Sequence, residues 1–178
     1  KRYEEAATYA RKALEINPTI EDRSTIVDKG TWESTFNSPN HYMFILTSFV
    51  TNQSEMGNMT LTPKFLSLYE QGDYVRYYSR EDDWTEYDDL LCGPEGSANY
   101  SPQGAARINV WGLRAEQMYY VLGECLIRAG LIDEGLDQVD KVRKYRIHPE
   151  FYRPFKGTVN TKQEAMALLS KAKTVECI

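Results

Sequence analysis

The stretch that decides the fold is LRAEQMYYVLGECLIRAGLIDEGLDQVDKVRKYR, which runs from Leu113 to Arg146. Apolar and small residues return every three or four positions on both sides of Gly130, as they do in amphipathic helices. A glycine at that point suits the left-handed conformation that a tight turn between two helices requires. The pattern therefore predicts a helix over residues 111–129 and a second helix over residues 132–146.

Two further helices are predicted at the ends of the sequence. Residues 1–16 carry charges on one side and a stripe of small and apolar residues on the other. That stripe consists of Ala6, Ala10, Ala13 and Leu14. Asn17 and Pro18 end this helix, because the residue before a proline avoids the α region. The sequence TKQE, from Thr161 to Glu164, is a capping box and predicts the start of the last helix.

Residues 19–110 are polar and irregular in pattern, and they separate the first helix from the others. HYMFILTSFV, residues 41–50, is apolar, aromatic and β-branched, which predicts a strand. LTPKFLSLYEQG, residues 61–72, predicts a short helix with Pro63 in its first turn and Gly72 at its end. A compact domain seldom keeps so long an irregular stretch unless that stretch has a function.

The net charge of −5 and the pI near 5.2 disfavour nucleic acid as a partner, since phosphates need a basic surface. One basic cluster closes the helix over 132–146, where it would complement the helix dipole. Its members are Lys141, Arg143, Lys144 and Arg146. No apolar run approaches the length that crosses a bilayer.

The sequence contains no recognisable catalytic or metal motif. Its two histidines, His41 and His148, have no second ligand at helical spacing, and no phosphate loop or nucleophile elbow is present. Cys92, Cys125 and Cys177 fit no metal spacing, and Cys125 lies in an apolar helix where we expect it to be a core residue. We therefore expect neither an enzyme nor a bound cofactor or metal.

The helical segments share a repeating pattern of small and large residues. Gly123 and Gly135 fall where the tetratricopeptide repeat places small residues, and the segment 1–16 is similar to the second half of that repeat. Tyr3 and Ile132 are equivalent points, 129 positions apart, whereas adjacent repeats lie about 34 apart. About 95 residues are thus inserted between two repeats. Because one repeat cannot bury its apolar face alone, the flanking helices are expected to stack.

The same architecture resembles the SusD/RagB family of nutrient-binding lipoproteins. The family stretch L-R-L-A-E-M-Y-L-I-R-A-E-A-L-A-R-L-G is similar to LRAEQMYYVLGECLIRAG, and its continuation L-D-E-A-L-A-D-L-N-K-V-R-A-R is similar to IDEGLDQVDKVRKYR. TWESTFNSPNHYMFILTSF and FLSLYEQGDYVRYYS, with Asp73 and Arg76, resemble two further family segments in the same order. Gln117 departs from the family glutamate at its position, and the E-R pair expected after the capping box is absent.

The resemblance implies a mainly α fold, in which tetratricopeptide-like helical hairpins carry a long irregular insertion. Residues 1–178 would form part of a SusD-like domain. Its parts would be a repeat helix (1–18), an inserted irregular lobe (19–110), a helix-turn-helix repeat (111–147), and a loop with the C-terminal helix (148–178). The sequence begins and ends inside helical patterns, so we expect it to be a fragment of a longer protein.

The function implied by the resemblance is capture of oligosaccharides or other nutrients at the bacterial cell surface. The protein would be held at the outer membrane by a lipid anchor that lies outside this chain. It would deliver the captured glycan to a TonB-dependent, SusC-like transporter. No reaction and no cofactor are implied.

The candidate glycan site lies in EDDWTEYDD, residues 81–89. An aromatic ring can cover the apolar face of a sugar while neighbouring carboxylates bind its hydroxyls. Trp84 and Tyr87, with Asp83 and Asp88, have this character. The carboxylates are also compatible with a solvated acidic loop, a calcium site or the catalytic pair of a glycosidase. Trp84 is also compatible with a structural role, in which its side chain packs the loop onto the helices.

Two other functions stay open at the level of sequence. A tetratricopeptide module that grips peptides would extend into further repeats of about 34 residues on both sides. A glycosidase would need two facing carboxylates in one pocket.

Overall fold

The computed structural model describes residues 2–24, 42–49, 60–61, 64, 67–74, 98–99 and 108–176. Most of these residues are helical. The helices are α1 (Tyr3–Ile16), α2 (Ala115–Arg128), α3 (Ile132–Arg146) and α4 (Lys162–Glu176). The strands are β1 (Tyr42–Phe49), β2 (Thr60–Leu61), β3 (Ala98–Asn99) and β4 (Ile108–Arg114). The prediction of a mainly helical chain is confirmed for this part of the protein.

The helix ends follow the signals in the sequence, with one correction. The backbone N–H of Thr161 donates to Glu164, and the N–H of Glu164 donates back to the Thr161 hydroxyl, both at 3.3 Å, so the predicted capping box forms. The predicted start of α2 at residue 111 is wrong. Residues 108–114 are extended as β4, and Trp111 therefore does not open the helix.

Two strands, one within the inserted segment and one at its end, pair with each other. β1 and β4 are antiparallel, from Tyr42 opposite Arg114 to Phe49 opposite Ile108, with an irregularity after Tyr42. The strand predicted over residues 41–50 is confirmed for residues 42–49, and its partner β4 includes residues 111–114, for which the sequence pattern predicts a helix. β-Branched and aromatic residues fit a strand, which is the reason that both runs pair well.

The helix predicted over residues 61–72 does not form as one element. Leu61 pairs in β2, and Ser67 and Leu68 lie in a turn. Gly72 does adopt the positive φ expected of it, at 76°, and the following residue, Asp73, forms an isolated antiparallel bridge with Ile147. Within this segment Lys64 is helical, and Asp73, which follows the segment, is held by α3 and the residue after α3.

Helix α1 packs against α2, although the inserted segment separates them in sequence. Ala7 and Ala10 of α1 and Leu122 and Cys125 of α2 form one buried cluster. The expectation that α1 contacts the helical hairpin is confirmed, and so is the expectation that Cys125 is a buried core residue. Within the predicted stripe Ala10 is buried, whereas the other three members are half-buried.

The main core lies between α2, α3 and α4. Fully buried residues include Tyr120 and Ile127 of α2, Leu136 and Val139 of α3, and Leu169 of α4. A buried aliphatic side chain of this size contributes about 1.5–3 kcal/mol relative to an exposed one. Burial of these faces, rather than helix propensity, holds the three helices together.

Two glycines allow α2 and α3 to touch backbone to backbone. A Cβ atom at Gly135 would lie 2.7 Å from the carbonyl oxygen of Gly123 and 2.5 Å from Cγ1 of Ile127. A Cβ atom at Gly123 would lie 2.9 Å from the carbonyl oxygen of Gly135. Such distances leave no room for a side chain at either position.

The turn between α2 and α3 has the glycine geometry that the sequence predicts. Gly130 has a φ of 93°. The N–H of Leu131 donates to the Leu126 carbonyl and the N–H of Gly130 to the Ile127 carbonyl, each at 3.0 Å. This pair of bonds is the Schellman motif, which satisfies the last carbonyl groups of a helix.

Gly130→Val should lower the free energy of unfolding by about 1 kcal/mol or more, since a β-branched residue is strained at positive φ. No atom lies within 4 Å of a Cβ at Gly130, so strain alone would be measured. Ala129→Val, at the neighbouring exposed residue with a φ of −75°, is the control. Chemical denaturation of both variants checks the prediction, and equal stabilities would contradict it.

Gly135→Ala should lower the free energy of unfolding by about 2 kcal/mol, because the added methyl group forces α2 and α3 apart. Alanine has a higher helix propensity than glycine, so helix propensity alone would raise the free energy of unfolding. Thermal unfolding measures the effect. A stability equal to or above that of the unmodified protein would refute the close contact.

Candidate functional site

The residues predicted to bind glycan lie outside the described part of the chain. These are Trp84, Tyr87, Asp83 and Asp88. Their role stays a prediction. The charged groups that the structure does bring together are different residues, and they form a buried cluster at the base of the inserted segment.

The ionic cluster is a set of charged side chains that are buried or nearly so. Its members are Glu21, Arg23, Asp73, Arg114, Glu116, Arg146 and Glu176. They come from the segment after α1, from the 67–74 segment, from the end of β4, and from α2, α3 and α4. The cluster therefore joins six parts of the chain.

Glu176 lies at the centre of the ionic cluster. Its Oε1 is 3.0 Å from Arg23 and 3.0 Å from Arg114, and its Oε2 is 2.6 Å from Arg146. Burial alone would raise the pKa of this carboxyl group, but the charges of the three arginines lower it to about 2. Glu176 is thus ionised at any physiological pH.

Arg146 connects Glu176 to the 67–74 segment. Its Nε donates to Asp73 at 2.7 Å, while its backbone carbonyl accepts the N–H of Tyr74 at 2.9 Å. Burial would lower the pKa of Arg146, yet the charges of Asp73 and Glu176 hold it well above the ordinary value. The 67–74 segment is fixed to the end of α3 by these side-chain and backbone bonds together.

Glu116 differs from Glu176 although both carboxyl groups are buried. Its Oε1 accepts the backbone N–H of Glu21 at 2.8 Å, and its Oε2 accepts no hydrogen bond from the described residues. Burial and the nearby charge of Glu176 raise the pKa of Glu116, against smaller opposing effects of the backbone hydrogen bonds that it accepts and of Arg23. The protonated form is therefore favoured at Glu116 more than at Glu176.

A second group of charges surrounds Arg143, next to the ionic cluster. Arg143 contacts Asp140 and makes two bonds to Glu70, at 2.8 and 2.6 Å, in the bidentate geometry typical of arginine. Its guanidinium carbon lies 3.4 Å from the centre of the Phe155 ring. Asp140 accepts the backbone N–H groups of Phe155 and Lys156 and so holds the loop before α4.

The basic cluster at the end of α3 divides by burial. Arg143 and Arg146 are 2% and 3% exposed, so they lie in the interior. Arg143, Lys144 and Arg146 are in the last turn of α3, where positive charge complements the helix dipole, whereas Lys141 lies before that turn. A signal was present in the sequence, because Arg143 and Arg146 share the face of Val139 at helical spacing.

The chemistry of the ionic cluster is that of a structural contact. Its carboxylates and guanidinium groups pair with one another. No group of three or more His, Cys, Asp or Glu side chains that could hold a metal occurs among the described residues. The ionic cluster thus joins the helices to Arg23 and Asp73 of the inserted segment.

No family model matches this chain, and no curated protein or solved structure is similar enough to count as a match. Among the described helices, none combines the length and the apolar character needed to cross a membrane.

Glu176→Gln should lower the free energy of unfolding at neutral pH by about 3 kcal/mol or more, since it removes the buried carboxylate that Arg23, Arg114 and Arg146 share. The pKa of Glu176 in the folded protein, about 2, lies below its ordinary value of 4.5. Its contribution is therefore complete above pH 4.5 and is lost as the pH falls through about 2. Urea unfolding at several pH values measures both effects.

Glu15→Gln, on the exposed side of α1, is the matched control for Glu176→Gln. It removes the same charge from a helix but leaves the interior unchanged, and we expect a stability close to that of the unmodified protein. Similar stabilities of the two variants would show that the ionic cluster contributes little.

Proposed function

We propose that this chain is part of a SusD/RagB-type protein that captures oligosaccharides at the bacterial cell surface and passes them to a TonB-dependent transporter. The observation that carries the proposal is the packing of α1 on α2 across the inserted segment. If α1 and α3 occupy equivalent positions in neighbouring repeats, α1 must stack on the helical hairpin despite the insertion, because one repeat cannot bury its apolar face alone. Helices that do not belong to a repeat would not require this contact.

The scaffold of the proposed protein is a tetratricopeptide-like pair of repeats. Three features support this arrangement. The glycine contact between α2 and α3 gives the close helix approach of such repeats, Gly130 gives their tight turn, and α1 takes the place of a helix from the neighbouring repeat. In this arrangement α4 begins the repeat that follows.

The inserted lobe is the place where we expect the ligand. β1 pairs with β4, and residues 67–74 between them are bonded to α3, so the chain on either side of Trp84 is anchored on described elements. A segment connected in this way is free to present binding residues without disturbing the helices, as loops on rigid scaffolds commonly do. Trp84 and Tyr87 belong to this segment.

The proposed activity is binding without chemistry. Trp84 would cover the apolar face of a sugar ring, Tyr87 would extend that surface, and Asp83 and Asp88 would accept hydrogen bonds from the sugar hydroxyls. A lipid anchor outside this chain would place the protein at the cell surface beside the transporter.

Trp84→Ala should weaken binding of oligosaccharides at least about tenfold, since loss of an aromatic anchor typically costs about 2 kcal/mol or more. Calorimetric titration with a panel of plant, host and microbial oligosaccharides measures the effect. The melting temperature and the helical circular dichroism should stay unchanged. Tyr9→Ala, on an exposed tyrosine of α1, is the control and should bind as the unmodified protein does.

The other outcomes of this experiment separate the alternatives. Early unfolding of the Trp84→Ala variant would show that Trp84 packs the inserted segment onto the helices. A folded variant with unchanged glycan binding would place the site elsewhere. Release of shortened sugars during the titration would favour a glycosidase, and binding of peptides but no glycan would favour a tetratricopeptide module.

A further inference from the structure

The 67–74 segment is attached to the end of α3 by two charge contacts of the same spacing. Glu70 and Asp73 are three positions apart, and so are Arg143 and Arg146. Glu70 accepts two bonds from Arg143, at 2.8 and 2.6 Å, and Asp73 accepts one from Arg146 at 2.7 Å. Because residues three apart on a helix share a face, the last turn of α3 presents both guanidinium groups to the segment.

Each of these two arginines also contacts a carboxylate on the helical scaffold. Arg143 contacts Asp140 of its own helix, and Arg146 donates to Glu176 of α4 at 2.6 Å. If the 67–74 segment left α3, both buried arginines would therefore keep an opposite charge. Breaking a buried ion pair is most costly when one charge is left without a partner, and detachment of this segment leaves no such charge on the helices.

The carboxylates of the 67–74 segment would move into water on detachment. The side chain of Glu70 is already 25% exposed in the attached state. Hydration of Glu70 and Asp73 would compensate in part for the loss of the two arginines. Helix α4 differs in this respect, because its loss would remove the carboxylate of Glu176 that three buried arginines share.

The apolar side chains of the 67–74 segment lie outside the helical core. Tyr69 is 8% exposed, yet no residue of the segment belongs to the two apolar clusters that join the described helices. The ring of Tyr69 lies instead 5.6 Å from the guanidinium carbon of Arg146. Regions outside the core open locally at a lower free energy than the core itself. Loss of the segment would thus leave both apolar clusters intact.

Two backbone hydrogen bonds connect the 67–74 segment to the chain at the end of α3. The N–H of Tyr74 donates to the Arg146 carbonyl at 2.9 Å, and the N–H of His148 donates to the Gly72 carbonyl at 2.8 Å. One donor belongs to the segment and the other to the residues that follow α3. Both bonds must break when the segment leaves, so the two amides report the same event.

We propose that the 67–74 segment is a detachable strap, which leaves the end of α3 as one unit while the helices stay folded. Sharing of Arg143 and Arg146 between the strap and the scaffold carboxylates is the feature that permits detachment. When attached, the strap fixes one point of the inserted segment to α3, and when detached it frees that point to move. The inference goes beyond the proposed function and does not depend on any ligand.

Native-state hydrogen exchange of the full chain at low urea concentrations tests the strap. The reporters are the N–H groups of Tyr74 and His148, and that of Val139, in the buried middle of α3, is the reference for the core. After correction for intrinsic rates, both reporters should exchange at least about tenfold faster than Val139. Their exchange should depend only weakly on urea, because a local opening exposes little surface.

Glu70→Gln should loosen the strap without changing the helical core. Both reporters should then exchange about tenfold faster than in the unmodified protein, by the same factor, since charge-assisted bonds are replaced by weaker neutral ones. The exchange of Val139 should stay unchanged. Glu124→Gln is the matched control, because the Glu124 side chain is also 25% exposed and pairs with an arginine, Arg128, but lies on α2. It should leave both reporters as they are.

The proposal is overturned if the reporters match Val139 in rate and in urea dependence, since the strap would then leave only when the whole protein unfolds. It is also overturned if Glu70→Gln affects only one reporter, or if Glu124→Gln affects both equally well. Failure of Glu70→Gln to fold, judged by circular dichroism, would show that the segment belongs to the core and would likewise refute the strap. No glycan enters these measurements, so a failure of the proposed glycan binding cannot be mistaken for a failure here.

Discussion

The interaction on which the rest of the structure depends is the contact of one carboxylate, Glu176, with three arginines. Arg23, Arg114 and Arg146 come from distant parts of the sequence, and all three reach the last residue of α4. Buried charges of this kind contribute little net stability compared with a well-packed apolar core, but a cluster that lacks one partner is strongly destabilised. The cluster therefore selects one arrangement of chain segments more than it stabilises the fold as a whole.

The apolar core and the ionic cluster have different tasks. The core between α2, α3 and α4 holds elements that are close in sequence, and helical spacing with small residues is sufficient to form it. The cluster and the β1–β4 pair act on the long inserted segment, whose contacts are far apart in sequence. Charge pairs and strand hydrogen bonds are directional, so they determine which residues contact each other. Apolar burial is non-directional and does not.

Much of the helical part could be predicted from the sequence, because its signals are local. The capping box at Thr161, the glycine turn at Gly130 and the stripe of α1 each act within a few residues. The ionic cluster could not be predicted in the same way. Asp73 and Glu176 lie 103 positions apart and both pair with Arg146, and nothing in the sequence around either residue indicates the other.

The errors in the sequence interpretation have a common physical cause. Residues 111–114 have helical periodicity with the residues that follow, yet pairing with β1 makes them a strand. Likewise the local pattern predicts a helix over 61–72, whereas Leu61 pairs in a strand and residues 67–72 are not helical. Tertiary contacts can override a weak local preference.

The pairing of β1 with β4 has a consequence for how such a protein can evolve. Since the two strands bring the ends of the intervening segment side by side, the entropy of closing that loop depends only logarithmically on its length. Doubling the segment would cost about 0.6 kcal/mol in closure entropy, less than one buried methyl group contributes. Lineages can thus exchange or lengthen the parts of this segment outside residues 67–74, and with them the molecules recognised, while the helices and the charge pairs that hold residues 67–74 stay unchanged.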